Sequence, residues 1–248
     1  MSNNTNQYWG IPLWKRIFDI LGASFLLLCL SPLFLGIAVL IKLESKGPVF
    51  YSSKRIGQGF QAFDFYKFRS MQQNAGSMLD QIKKLNQYAK HRVIPQAEAT
   101  PSGPVLVNDN TVIQEGQHRF EKEQVAGFTF LKVNNDPRIT RIGKFIRSTS
   151  IDELPQLWNV LKGDMSLVGN RPLPLYEAEK LTLDNAILRF KAPAGITGLW
   201  QVNGRGKKTV SEEERKQFDI EYAQNYNLNL DLKILWRTLP AAVQEANV

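Results

Sequence analysis

Leu21 to Ile41 is a run of 21 residues without a single charge, dominated by Leu, Ile and Phe. At about 1.5 Å per residue, a straight helix of that length covers the roughly 30 Å hydrocarbon layer of a membrane. Two features argue against a simple crossing. Ser31-Pro32 falls at the middle of the run, where proline removes a backbone donor and clashes with the preceding turn, so the helix is expected to break or kink there. The flanks are both basic, Lys15 and Arg16 before the run and Lys42, Lys46, Lys54 and Arg55 after it. Positive charge stays on the cytoplasmic side, so matched flanks suit a re-entrant hairpin that enters and leaves by one face. A spanning helix, a secretory signal peptide and a buried core helix are the competing readings. The signal peptide fits poorly, because 14 residues precede the basic pair and no small-residue cleavage site follows.

Composition narrows the chemistry of the rest. The 248 residues include one Cys and two His, which excludes a disulfide-stapled domain and a Cys-rich zinc site. His91 and His118 lie far apart, with no ligand-like Cys near either. Thirty-one Lys and Arg against 23 Asp and Glu leave a formal charge of +8, which favours an anionic partner: nucleic acid, anionic lipid or a phosphorylated substrate. The mean hydropathy of −0.26 is too polar for a polytopic membrane protein.

After the apolar run, Val49-Phe50-Tyr51 and Phe60 to Phe68, parted by Gly57 and Gly59, read as a small hairpin. Lys67 and Arg69 follow its turn and are candidates for phosphate or substrate. Met71 to Ala89 has apolar residues every three or four positions, an amphipathic helix with a basic outer face. Val105-Leu106-Val107 and Val112-Ile113 around Asn108-Asp109-Asn110 suggest a second hairpin. Residues 76 to 128 carry no dense motif and are read as an insertion.

The densest stretch is Asn134 to Pro172, where Arg138, Arg141, Lys144, Arg147 and Arg171 surround the adjacent carboxylates Asp152 and Glu153. Leu154, Leu157, Trp158 and Leu161 fit one helix face with Gly163 as its stop. Ser150 and Glu153 have capping-box spacing, although Pro155 also allows the helix to start at Glu153 or Pro155. In either register the carboxylates sit at or just before a helix N-terminus, where the dipole and the arginines favour the ionised form. Ordinary helix capping explains such a pair without catalysis. The arginine surplus points further, because the planar guanidinium suits phosphate oxygens. An ionised Asp beside a phosphate site can attack phosphorus, and a neighbouring Glu can hold Mg²⁺, with Asp152 and Glu153 as the metal candidates.

Trp200, Gln201, Asn203 and Arg205, set among glycines, form either a ligand-contacting loop, with Arg205 as a substrate candidate, or a tight turn around a core Trp. Near the C-terminus, Leu228, Leu232, Leu235, Trp236 and Leu239 share one face, and Asp231, Lys233 and Arg237 lie on the other. That helix lies on a membrane or packs into the core.

The motifs KRIFDI, Ser31-Pro32, KRIGQGFQAFDFYKFRSM, DPRITRIGKFIRSTSIDELPQLWNVLKGDMSLVG, GITGLWQVNGR and LDLKILWRT, in this order, resemble the bacterial sugar transferases, also known as monotopic phosphoglycosyl transferases or polyprenyl-phosphate hexose-1-phosphate transferases. The resemblance covers most of residues 13 to 75 and 129 to 240. It implies transfer of a sugar-1-phosphate from a UDP-sugar to undecaprenyl phosphate, giving a polyprenyl-diphosphate sugar and UMP through a covalent aspartyl intermediate and starting surface-glycan synthesis. By the same resemblance Asp152 is the nucleophile, Glu153 helps hold Mg²⁺, Arg147 and Arg171 bind phosphate, and Ser31-Pro32 is the membrane break. The chain departs from the family pattern in two places. Asn170 stands where a proline usually precedes the phosphate arginine, and the insertion has no counterpart. The N-terminal multi-span domain of longer members is also missing from this sequence.

The expected architecture is therefore α+β, mainly helical. It has a tail over 1–13, a re-entrant membrane hairpin over 14–44 and a cytoplasmic catalytic domain over 45–248, with interfacial amphipathic helices. The expected site is the cytoplasmic face of the bacterial inner membrane, and the expected partners are a nucleotide sugar, polyprenyl phosphate and membrane lipid. Nucleic acid is not expected, because the basic residues cluster beside carboxylates. A homo-oligomer is left open, and a non-catalytic membrane-anchored scaffold of the same fold is the alternative function.

Overall fold

The computed structural model describes residues 10–72, 105–108, 111–113, 138–181, 185–204 and 211–243. The helix expected over Met71 to Ala89 and most of the insertion lie outside these residues. The described part is mostly helical with short strands, as the sequence implies. Two compact units organise it. The first comprises Met1–Leu28, Lys54–Phe65 and Gln156–Gln244; the second comprises Cys29–Ser53, Tyr66–Pro155 and Glu245–Val248.

Helix α1, Leu13–Glu44, contributes its first half to the first unit and its second half to the other. Helical structure continues through Pro32, so the chain does not leave the helix at Ser31-Pro32; the loss of one backbone donor is tolerated there. Its most apolar 18-residue window averages 2.6 in hydropathy and is only 11% buried, and among the described residues no other helix is long and apolar enough to cross a membrane.

In the first unit, Lys15, Asp19 and Ala23 recur every four residues and form the buried stripe of α1. Lys15 is fully buried and ion-paired with Asp231, which is equally buried. The Tyr222 hydroxyl donates to Asp231 Oδ1 (2.8 Å) and accepts from Lys15 Nζ (3.3 Å). Burial and the Asp231 carboxylate push that hydroxyl far above the usual tyrosine range, so it stays protonated as a donor. Arg16 donates to the carbonyls of Val160 and Leu161 at the end of helix α3, Gln156–Lys162, where carbonyls run short of intrahelical donors. Asp19 Oδ1 accepts from Ser166 Oγ and Leu167 N, both at 2.9 Å. Lys15 and Arg16, read from sequence as free flanking charge, are thus consumed inside the protein.

The rest of this unit includes helix α4, Leu175–Lys180, a 3₁₀ helix over Asn185–Lys191, and a strand pair with three more helices. Strand β5, Ser166–Val168, pairs in parallel with β6, Gly195–Thr197. A Cβ on Gly195 would sit 2.1 Å from Gly169 N, so this close backbone approach admits only glycine. Helices α5 (Leu199–Gly204), α6 (Glu212–Asn225) and α7 (Leu228–Val243) complete it. Helix α6 opens with a full capping box between Ser211 and Glu214. In α7 the protein-facing side carries Asp231 and Ile234, while Leu228, Leu232 and Trp236 are exposed, Trp236 by 77%. The polar side of α7 is therefore the buried one at Asp231, because that carboxylate is required by Lys15. The core-packing reading of the Leu and Trp stripe fails at these three residues. In α3, Leu157 is buried but Trp158 is exposed, so the predicted face is only partly the packed one; Gly163 ends the helix as expected, at φ +94°.

The second unit packs Ile37, Ile41, Phe68 and Ile146 into one cluster flanked by Phe34, Val49, Ile142 and Ile151. Its helix α2 spans Arg141–Ser148. Thr140 Oγ1 accepts from Gly143 N (2.9 Å), and the Glu44 carboxylate accepts from Arg141 N (2.6 Å) and Ile142 N (3.0 Å). These contacts satisfy three of the helix's four orphan donors. The predicted hairpins both form. Strands β1 (Phe50–Ile56) and β2 (Ala62–Phe68) pair in one sheet, which the unit boundary divides, and β3 (Val105–Asn108) pairs antiparallel with β4 (Thr111–Ile113) in the second unit.

Candidate active site

Ser150 adopts a left-handed conformation, φ 57° and ψ 14°, and directs the chain into a single 3₁₀ turn, Ile151–Glu153. The Ser150 side chain makes no cap bond there, so the capping box read from sequence is not formed. Pro155 has no N–H to extend this turn, and α3 begins at Gln156. The carboxylates therefore stand just ahead of a helix, as expected, on a turn of their own.

Asp152 is 7% exposed. Lys67, on β2, donates to Glu153 Oε1 at 2.8 Å and reaches Asp152 Oδ2 at 3.4 Å. One ammonium thus holds both carboxylates. Of the three cations on α2, Arg141 and Lys144 lie on its exposed face and Arg147 is half-buried. Arg147 also stabilises the Asp152 charge. The sequence favoured an easily ionised pair, and the structure reverses this for Asp152. Burial is the strongest influence and raises its pKa, the Glu153 charge adds to the rise, and the attraction of Lys67 and Arg147 offsets only part of it. A carboxylate that is poorly solvated but ionisable is a stronger nucleophile than a surface one.

The remaining predicted residues are scattered. Arg69 is buried and donates to the Ser45 carbonyl (2.7 Å) and Ser45 Oγ (2.8 Å) at the end of α1. These bonds make it a capping residue there, while its Nε and Nη1 are buried without a partner among the described residues. Arg171 belongs to the first unit and is half-buried, with its carbonyl accepting from Arg189 Nη2 at 2.9 Å. Arg205 lies outside the described residues, and Ser31 and Pro32 are both exposed on α1.

The substitution of Asn170 for proline has a structural counterpart. The Asn170 side chain is buried and donates to the carbonyls of Arg189 (2.9 Å) and Asp219 (2.8 Å), and Gly195 N donates to its carbonyl (2.9 Å). Side-chain hydrogen bonds thus fix the backbone that a proline ring would have stiffened. Sequence reading missed Asn170 in this role, along with Arg189 and Asp219, whose ion pair is buried (2.7 Å). Asp219 carried one sequence signal, an Arg one helical turn before it at 215, and Arg189 carried none.

Among the described residues, no group of three Asp, Glu, His or Cys could enclose a metal ion. The Asp152 and Glu153 pair is a donor set of two.

The model of the family described as bacterial sugar transferase matches residues 11–245. The chain belongs to that family. This sugar transferase is 37% identical over 227 residues to the exopolysaccharide production protein ExoY of Rhizobium meliloti, covering 92% of the chain and 84% of that relative. It is 38% identical over 224 residues to the undecaprenyl-phosphate galactose phosphotransferase of Salmonella typhimurium, covering 90% of the chain. It is 35% identical over 232 residues to the UDP-glucose:undecaprenyl-phosphate glucose-1-phosphate transferase of Klebsiella pneumoniae, covering 92% of the chain. The transferase spans 39% of the length of each of these last two relatives.

Proposed function

We propose that this sugar transferase moves a sugar-1-phosphate from a UDP-sugar to undecaprenyl phosphate through a covalent intermediate on Asp152, initiating exopolysaccharide or glycoconjugate synthesis. The observation that carries the reading is a buried carboxylate that shares one lysine with a second carboxylate, in a family whose relatives are named for this transfer. An Asp152 carboxylate oxygen attacks the sugar-linked phosphorus; the bond to the UMP oxygen breaks and UMP leaves with the electron pair. An oxygen of undecaprenyl phosphate then attacks the same phosphorus and releases the carboxylate. The acceptor is already anionic, so no histidine base is required. Lys67 and Arg147 orient Asp152 and stabilise its charge, and Arg171 is the proposed phosphate contact of the first unit.

Two adjacent carboxylates, one buried and one half-exposed, suit Mg²⁺, which typically takes one or two carboxylates and completes its shell with substrate oxygens. Glu153 with Asp152 would hold the ion, which when bound neutralises diphosphate charge. Purified protein given a panel of UDP-sugars and undecaprenyl phosphate is expected to release UMP in a Mg²⁺-dependent manner. No release across the panel would favour the scaffold function.

Lys67→Met has a signed consequence. Lys67 lowers the Asp152 pKa, so its loss moves the acid limb of the kcat profile to higher pH, by about one unit. An unmoved limb would separate Lys67 from the ionisation of the nucleophile.

The same reading places α1 in the membrane as a re-entrant segment bent at Pro32. Its support is no longer flanking charge. Within the first unit, Lys15 and Asp19 precede the apolar run, yet they pair with Asp231 and Ser166, which follow it. Both flanks of a single apolar segment then lie on one side. In a Cys29→Ser background, cysteines placed at Gly10 and Ser52, both exposed, are expected to label from the cytoplasmic side alone. Labelling from opposite sides would mean a spanning helix.

A further inference from the structure

The first unit contains a basic cluster that the proposed reaction leaves unused. Arg215 sits one turn before Asp219 on α6, and its guanidinium lies 4.7 Å from the centroid of the Trp200 ring. Asp219 is already committed: its Oδ2 accepts from both Nε (3.0 Å) and Nη2 (2.7 Å) of Arg189. That same Nη2 reaches the Arg171 carbonyl; Arg189 and Arg215 share the Asp219 carboxylate, and the Arg171 guanidinium is near enough to Arg215 to repel it. Glu177 is the other acid whose charge acts on Arg215, while Arg171 and Arg189 repel it. Three guanidinium charges therefore face two carboxylates. The Trp200 Nε1 donor is buried without an acceptor among the described residues, although buried polar groups are rarely left so. Burial also holds the Arg215 guanidinium below the usual arginine range. Positive charge is in excess among the groups that act on Arg215, and an anion would balance it and offer the Trp200 donor an acceptor.

We propose that Arg215, its guanidinium held over the Trp200 ring, is an anion-binding residue of the first unit that takes phosphate oxygens beside Arg171. A planar fork held against an indole loses little freedom on meeting phosphate and offers paired donors that lysine lacks. The ligand is a phosphate ester or diphosphate, and its two sources are the nucleotide and the isoprenyl phosphate acceptor. The assignment rests on the reading of Arg171 as a substrate-phosphate contact.

The test is isothermal titration of the full-length protein in nanodiscs with pyrophosphate, UMP and farnesyl phosphate. The variants are Arg215→Gln and Arg215→Lys, with Arg237→Gln as the control for an exposed arginine of the same unit. Loss of one charge-assisted fork is expected to weaken pyrophosphate about tenfold in Arg215→Gln. Arg215→Lys, which keeps the charge but not the fork, should also bind more weakly than wild type, and it serves alone if Arg215→Gln does not fold. Arg237→Gln should bind as wild type does. A matching loss for UMP alone assigns the site to the donor, and one for farnesyl phosphate alone assigns it to the acceptor. Unchanged pyrophosphate affinity in both Arg215 variants, or an equal loss in Arg237→Gln, overturns the proposal. Trapping the Asp152 adduct in wild-type protein is scored separately, so a failed transfer reaction and a failed anion site give different results.

Discussion

Asp152→Asn is expected to lower turnover by at least about a thousandfold and to leave no sugar-phosphoryl adduct on the peptide containing residue 152. Asparagine keeps the shape of the side chain, but its neutral amide is far too weak a nucleophile to form the bond to phosphorus, and Glu153 lies on the same 3₁₀ turn without the same burial. Mass spectrometry of protein quenched after mixing with UDP-sugar reads the adduct directly; full activity in the variant would remove the covalent step. The Asp152 pKa adds a second, opposite effect. A carboxyl raised in the folded state costs stability once ionised, and that cost sets in as pH rises from the unfolded value through the folded one. Near pH 7 the Asn variant should therefore unfold no more readily than wild type, and any advantage should vanish below about pH 4. Activity should fall on the acid side at a pH above the ordinary carboxylate range, because the nucleophile must be ionised to attack.

The largest stability effect is expected at Asp231. Asp231→Ala leaves the buried Lys15 ammonium with the Tyr222 hydroxyl as its one remaining hydrogen-bond partner among the described residues, Asp19 acting on it only through space. Breaking one partner of a buried pair costs about 3–5 kcal/mol. Replacing both partners, Lys15→Met with Asp231→Leu, removes the stranded charge and should recover most of that loss. Denaturant unfolding in detergent measures both variants. Equal stability of Asp231→Ala and wild type would show that the pair contributes nothing. The double variant also separates charge from packing, since Tyr222 keeps its contact with the Val168 carbonyl (3.0 Å).

Features encoded by neighbouring residues could be read from the sequence. The hairpins followed from glycines and the Asn108-Asp109-Asn110 turn, the end of α3 from Gly163, and the carboxylate pair from its position ahead of a helix. Features that depend on distant partners could not. The Leu and Trp periodicity of α7 marks a stripe but does not say which side the protein covers; Asp231 decides that through a residue on α1. Lys15, Arg16 and Asp19 look like membrane-flanking polarity until their partners in α7, α3 and β5 are known. The protonation behaviour of Asp152 was misjudged for a related reason: neighbouring charges are visible in a sequence, while desolvation is set by the packing of the folded chain. Arg69 resembled Lys67 in spacing and charge, yet only Lys67 meets the carboxylates among the described contacts.

The Lys15 and Asp231 pair joins residues 216 positions apart in a chain of 248. During synthesis the stretch carrying Lys15 leaves the ribosome well before its partner on α7. At roughly 5–20 residues per second that interval lasts on the order of ten seconds or more, long compared with the folding of a helix. The apolar segment must therefore meet lipid or a chaperone before the domain that anchors it exists. Docking of the C-terminal helix then becomes the step that commits the chain to its final arrangement.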